Sequence, residues 1–241
     1  MSDATSPAGT AEQRREQLVE VFREGSTCTR CDLSRTRNSV VFGAGDADAD
    51  LMFVGEAPGA EEDKRGLPFV GRAGGLLNEL LEGIGLSRDT VFIANTLMCR
   101  PPGNRDPKPD ELDACRPYLL EKVRLIEPKV IVTLGNFATK LITGNQTGIT
   151  RVRGNPQVHT LGVRTLYVFP ILHPAAALRN PSLRGTMDED FAALAKLLEA
   201  PALPQESEAE EPEPEPGEPE SQEPAGPVRT RGDDQLDIFT P

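Results

Sequence analysis

Leu51-Met-Phe-Val-Gly-Glu-Ala-Pro-Gly59 runs four apolar residues straight into a turn made of glycine and proline. A strand that is apolar at every position, rather than at every second one, has both faces covered. That is the condition of a strand inside a parallel sheet packed between helices. Three further stretches read the same way: Val91-Phe-Ile-Ala94, Val130-Ile-Val-Thr-Leu134 and Leu166 to Leu172. Helix-like patterns lie between and around them, over 9–23, 73–84, 109–126, 136–142 and 188–198. The alternation predicts a three-layer α/β/α sandwich on a central, mainly parallel four-stranded sheet, with ligands beyond the carboxyl ends of the strands. Those ends are polar or sharply turned: Gly55-Glu56-Ala57-Pro58-Gly59, Asn95, Gly135-Asn136 and His173-Pro174. Each alone reads as a turn residue or a satisfied histidine. Together, at the ends of neighbouring strands, they read as a pocket.

The chain has 241 residues, enough for one good-sized core. Its apolar stretches are strand-sized, well short of the roughly 20 residues that span a bilayer. Met1-Ser-Asp-Ala-Thr-Ser6 lacks the basic start and apolar run of a secretory signal, so a cytoplasmic protein without a membrane segment is expected. The formal net charge of -12 is unevenly spread. Residues 201–241 hold twelve acids and two arginines, a net of -10, which leaves -2 for residues 1–200. The total argues against a nucleic-acid partner, and the near-neutral body removes that objection.

A folded domain is therefore expected over 1–200, followed by a disordered Glu/Pro-rich tail over 201–241. The end of the tail turns apolar again at Gln235-Leu-Asp-Ile-Phe239. It resembles the short peptide by which bacterial replication and repair proteins dock on the sliding clamp. Leu236 and Phe239 would fill an apolar pocket there, and Gln235 would hydrogen-bond at its rim.

The four cysteines fall as Cys28-Thr-Arg-Cys31, Cys99 and Cys115. In a reducing compartment they argue for metal or redox chemistry over disulfides. A Cys-x-x-Cys loop places two thiolates on one ion, and four thiolates hold either zinc or an iron-sulfur cluster; spacing alone does not choose. Packing explains a Cys-x-x-Cys between polar residues poorly. A thioredoxin-like pair fits no better, because the motif does not follow a strand in a βαβ context.

The motifs Cys28-Thr-Arg-Cys31-Asp-Leu33, Gly55-Glu-Ala-Pro-Gly-Ala-Glu-Glu-Asp63, Gly66-Leu-Pro-Phe-Val-Gly-Arg-Ala-Gly74, Asn95-Thr-Leu-Met-Cys-Arg-Pro-Pro-Gly-Asn-Arg-Asp106, Cys115-Arg-Pro-Tyr118 and His173-Pro-Ala-Ala176 resemble, in order and spacing, the family 4 uracil-DNA glycosylases. The resemblance runs over about residues 15–199 and omits the tail. It implies a [4Fe-4S] cluster on Cys28, Cys31, Cys99 and Cys115. It also implies a monomer that removes uracil from single- or double-stranded DNA to start base excision repair.

A glycosylase flips its nucleotide out of the helix and needs a stacking surface, a reader of the base edge and a stabiliser of the departing base. By the resemblance Phe69 stacks on uracil, Asn95 reads its Watson–Crick edge and His173 binds O2, helped by the backbone amides of Glu56 and Ala57. In the better-known branch of the superfamily an aspartate stands where this chain has Ala57, and it orients the attacking water. Alanine does not do so, which leaves Glu56 and Glu62 as candidates. Leu178 and Arg179 occupy the place of the wedge inserted into the vacated stack. Arg100, Arg105, Lys108, Arg151, Arg153, Arg179 and Arg184 lie near strand-end loops as candidate phosphate contacts.

Two other readings compete. One relative of the fold traps uracil-DNA through a histidine in an inserted Lys-Arg-Arg-Ile-His segment. This chain runs Gly71-Arg-Ala-Gly-Gly-Leu-Leu77 without it, and its two histidines are His159 and His173, so turnover is favoured over trapping. The other reading is a non-catalytic iron-sulfur or zinc module that recruits partners through its tail. The coexistence of Phe69, Asn95 and His173 counts against that.

Overall fold

The computed structural model describes residues 9–205, so Gln235, Leu236 and Phe239 lie outside the described residues. Its strands are β1 (Ala44–Gly45), β2 (Leu51–Gly55), β3 (Phe92–Asn95), β4 (Val130–Leu134), β5 (Gln157–Leu161) and β6 (Arg164–Ile171), joined in one sheet of order β1-β3-β2-β4-β6-β5. The inner four pair in parallel. They are the four runs read from the sequence as continuously apolar. The reason is visible in the core: Met52 and Val54 of β2 face one hydrophobic cluster, and Leu51 and Phe53 face the other. Ile131 and Val132 of β4 divide in the same way, as do Val168 and Phe169 of β6.

The sheet has six strands rather than four. The two extra strands lie at its edges and pair antiparallel, β1 on β3 and β5 on β6. β1 is only two residues long. β5 alternates half-buried and exposed positions and carries Gln157, His159 and Thr160, so neither edge produces a continuous apolar run.

Helices cover both faces. α1 (Ala11–Ser26) and α4 (Pro109–Ile126) send Leu18, Tyr118, Leu119, Val123 and Ile126 into one cluster. Between them in sequence come α2 (Ala60–Arg65) and α3 (Arg72–Glu82); after them come α5 (Asn136–Thr143), α6 (Ile149–Val152), α7 (Pro174–Arg179) and α8 (Arg184–Glu199). α3 and α8 fill the other cluster with Leu76, Leu77, Leu80, Leu81, Met187, Phe191 and Leu194. α1 starts behind a capping box in which the Thr10 hydroxyl accepts from the Gln13 amide and the Gln13 side chain accepts from Thr10. α2, α6 and α7 are four to six residues long, too short to show a helical period.

No helix among the described residues is long and apolar enough to cross a membrane. At the far end of the described chain, the Gln205 side chain brackets Thr165. Its Oε1 accepts from the Thr165 amide at 3.0 Å and its Nε2 donates to the Thr165 carbonyl at 2.8 Å.

Candidate active site

The carboxyl ends of β2, β3, β4 and β6 open into a cavity of about 640 Å³, lined by Glu56, Ala57, Glu62, Phe69, Asn95, Asp106, Asn136, His173 and Arg179 among others. Backbone bonds hold its floor. The Thr96 amide donates to the Gly55 carbonyl at 2.9 Å and the Leu97 amide to the Glu56 carbonyl at 3.1 Å, tying the end of β2 to the end of β3. The Gly135 amide donates to the Ile171 carbonyl at 2.9 Å and ties β4 to β6. Gly55 has a second reason to be glycine. A β-carbon there would lie 2.4 Å from Asn95 Oδ1 and 2.8 Å from Phe69 Cζ. The slot between amide and ring therefore exists only because residue 55 has no side chain.

Asn95 is buried, and its Oδ1 has no hydrogen-bond partner among the described residues. A buried acceptor left unmet costs about 1–3 kcal/mol, so this atom waits for a donor. His173 sits across the cavity, its ring centroid 5.6 Å from that of Phe69 at 30°. Its Nδ1 accepts from the Ala175 amide at 3.1 Å, capping α7. An Nδ1 that accepts leaves the ring proton of the neutral imidazole on Nε2. Burial, helped by the charge of Arg179, pushes the His173 pKa down to about 4. The ring is thus a neutral donor at physiological pH.

Phe69 is buried at the cavity wall with a left-handed backbone, φ 51°. Glu62 Oε1 accepts from the amides of Val70 and Gly71, both at 3.0 Å. From the other side Arg88 donates to the carbonyls of Pro68 and Phe69. One oxygen of Glu62 is therefore committed to holding the turn. Glu56 differs: its carboxylate accepts no hydrogen bond among the described residues, and burial followed by the charge of Asp106 raises its pKa.

Arg88 and Asp106 were not singled out from the sequence. A charged residue in a polar turn carries no mark that separates a pinned side chain from a solvated one.

The candidate phosphate contacts do not all gather at the cavity. Arg153 forks onto the buried Asp190 at 2.7 and 2.9 Å and donates to the Thr186 carbonyl, so it is an internal tie between the segment after α6 and α8. Arg184 pairs with Glu79 and Asp188. Arg105 lines the cavity but forks onto the buried Glu111. Arg179 is exposed at the cavity, and Arg151 is exposed away from it. Arg100 donates to Asn104, and Lys108 is exposed before α4. Leu178 is 37% exposed beside Arg72 and Arg184, a surface side chain rather than the first core residue of α7.

The four cysteines share one neighbourhood. Cys99 and Cys115 are buried in the cluster under α1 and α4, and Cys28 and Cys31 pack against it. Each charge is felt by others in the set: Cys28 by Cys31, and Cys99 and Cys31 by Cys115, whose thiol burial pushes up to about 11. Arg37 donates to Cys99 Sγ at 3.4 Å and to the Cys28 carbonyl at 2.7 Å. Among the described residues, however, no group of three or more His, Cys, Asp and Glu is drawn together as tightly as one metal ion requires. Lys122, about two turns on from Cys115 along the same face of α4, is fully buried with Nζ 4.0 Å above the Phe42 ring and no hydrogen-bond partner. Burial pushes the Lys122 pKa down to about 7, and an orphaned amine near the Cys115 thiol is what an anionic thiolate-bound group would compensate by holding its proton, so the residues present fit such a group.

Residues 42–199 match the family model of the uracil DNA glycosylase superfamily. Several curated relatives are similar over nearly their whole length. A type-4 uracil-DNA glycosylase of Sulfurisphaera tokodaii is 47% identical over 191 residues, 77% of this chain and 87% of the relative. Type-4 uracil-DNA glycosylases of Thermotoga maritima and Archaeoglobus fulgidus are 48% and 44% identical, covering 73% and 76% of this chain and 93% and 94% of the relatives. The superfamily match spans the sheet and its cavity, and identity of this depth holds across nearly the full length of enzymes of one type: the chain belongs to the type-4 uracil-DNA glycosylases.

Proposed function

We propose that the protein hydrolyses the bond between uracil and deoxyribose in DNA, opening base excision repair. The observation that carries the reading is the buried, unmet Asn95 Oδ1 in a cavity it shares with Phe69 and a neutral His173. Uracil flipped into the slot gives N3–H to Oδ1 and takes the Asn95 amide hydrogen at O4. Cytosine presents an acceptor at N3 and a donor at position 4, so it meets like with like and is refused by unpaired polar groups. Phe69 supplies the stacking face.

As the N1–C1′ bond breaks, its electron pair passes to the base and charge gathers on O2. Nε2–H of His173, aided by the amides of Glu56 and Ala57, stabilises that charge more than it stabilises the ground state. Water adds its oxygen to C1′ and gives up a proton. Glu56 is the residue we assign to that proton, since its carboxylate is unengaged and its proton affinity is raised. Glu62 is better read as the brace of the stacking turn. Leu178, exposed on α7, and Arg179 at the cavity rim fit insertion into the vacated stack.

Cys28, Cys31, Cys99 and Cys115 would hold a [4Fe-4S] cluster, a reading supported by the neighbourhood the four thiols share and by the unpartnered Lys122 Nζ near Cys115. When bound, the cluster supplies cross-linking and negative charge away from the glycosidic bond. The chain's own residues perform the reaction.

Incubation with uracil-containing single- and double-stranded oligonucleotides, followed by alkaline cleavage of abasic sites, tests the activity. Wild type should leave an alkali-labile abasic site at uracil in both, and Asn95→Asp should lose at least about tenfold in rate at limiting enzyme through mismatched donors and acceptors. Wild type without abasic-site formation on either substrate overturns the reading. The tail carries a separate proposal, docking on a bacterial sliding clamp through Gln235, Leu236 and Phe239. A peptide of residues 229–241 should bind the clamp in a titration, and Leu236→Ala with Phe239→Ala should abolish binding. Equal binding by both peptides would sink it.

A further inference from the structure

Phe69 holds a left-handed backbone, φ 51°, in a region that residues with a bulky side chain rarely occupy. Such a conformation persists where the surroundings over-determine it. Two constraints come from the near side of the turn: Glu62 takes the amides of Val70 and Gly71, and Gly74 brings α3 so close that a β-carbon there would lie 1.7 Å from the Phe69 carbonyl oxygen. The third comes from a loop 19 residues downstream. Arg88 donates from Nη1 to the Phe69 carbonyl at 2.9 Å and from Nη2 to the Pro68 carbonyl at 2.6 Å, with a longer contact of 3.4 Å to Asn78 Oδ1.

Arg88 is half-buried and forms no salt bridge among the described residues. A partly desolvated guanidinium normally finds a carboxylate, whose charge it neutralises. This one uses its planar fork on two consecutive peptide carbonyls. Gripping successive carbonyls fixes the orientation of the peptide between residues 68 and 69, and with it φ of Phe69 and the direction of its ring. The ring has little freedom to spare, because the Gly55 position lies 2.8 Å from Cζ measured to a β-carbon built there. A turn that relaxed toward negative φ would tip the ring into the slot or away from it.

We infer that Arg88 is a positioning residue that holds the Phe69 ring as a preformed stacking face for the extruded base. It touches neither base nor sugar and acts through the turn alone. The inference rests on the proposed stacking of uracil on Phe69. Its signature is a loss of substrate capture without a loss of the chemical step, because Asn95 and His173 belong to other strand ends and keep their places.

The test is a double-mutant cycle on the full-length protein, read by single-turnover kinetics with uracil-containing single-stranded oligonucleotide. Arg88→Met should raise the half-saturating concentration about tenfold, as expected for contacting residues that act as a unit, while the rate at saturation stays within threefold of wild type. Phe69→Ala should raise it similarly, and the double variant should be no worse than Phe69→Ala alone. Arg88→Lys keeps the charge, breaks the fork and should recover only part of the loss. It replaces Arg88→Met in the cycle if the methionine variant does not fold. Losses that multiply in the double variant, or unchanged capture by a folded Arg88 variant, overturn the role of Arg88 and leave the stacking face intact. Unchanged capture by Phe69→Ala overturns the stacking face, and the role of Arg88 falls with it.

Discussion

Alanine at His173 should slow single-turnover release of uracil by about 10²- to 10³-fold, the usual consequence of removing one donor aimed at developing negative charge. Half-saturation should move far less, since Asn95 and Phe69 still receive the base. The ring's state sets the pH behaviour. With its pKa down at about 4, His173 remains a neutral Nε2–H donor through the physiological range, so its contribution to rate should be flat from about pH 8 to 5.

Stability should respond differently. The unfolded chain takes up a proton on this histidine near its ordinary pKa of about 6.5, whereas the folded chain refuses it until about 4. The stabilising term is therefore fully present above about 6.5 and is lost as pH falls through that window. Urea unfolding at pH 7 and pH 5 should show wild type losing about 2 kcal/mol more than His173→Gln over that interval. A rate for His173→Ala within threefold of wild type would refute the donor assignment, and identical pH slopes for wild type and glutamine would refute the neutral buried ring.

Serine at Cys99 is expected to act on the fold before it acts on the chemistry. Cys99 is buried where β3 gives way to the segment that supplies Pro101, Asn104 and Asp106 to the cavity wall, and Cys115 lies in α4 at the far end of that segment. Anaerobically purified wild type should be brown, with iron and acid-labile sulfide. The variant should lose both, together with about 4 kcal/mol or more of stability, the range typical of losing a structural metal centre. Calorimetry and iron analysis of the two proteins decide the matter. A colourless wild type with one tightly held zinc would rule the cluster out, and a variant with full iron content and an unchanged unfolding temperature would remove Cys99 from its ligands.

The inner sheet was readable because burial on both faces writes itself into consecutive residues: Val130 to Leu134 is apolar but for a threonine, and β4 has those bounds. Burial on one face writes a weaker pattern, and β5 escaped notice for that reason. Asn95 and His173 were legible as strand-end residues, and Phe69 only through the motif that resembles the family. The distinction between a pinned arginine and a free one was not. Arg153 and Arg184 looked like DNA contacts and turn out to be paired with Asp190, Glu79 and Asp188. Arg88, which nothing in the sequence singles out, grips the backbone of the stacking residue. Pairing depends on which helix ends come together in space, and local sequence does not carry that. The same holds for Lys122, whose helical position says little about the unpartnered burial it meets.

Gln205 grips Thr165 at the start of β6, while His173 stands just past its other end. The eight residues of that strand set the two about 26 Å apart. Gln205, the last described residue, is thus held at the rear of the domain, on the handle of the tool rather than on its blade. A glycosylase leaves behind an abasic site that must be handed to the next worker in the line. With its last described residue pinned at the back, the protein keeps the mouth of the cavity clear for that release.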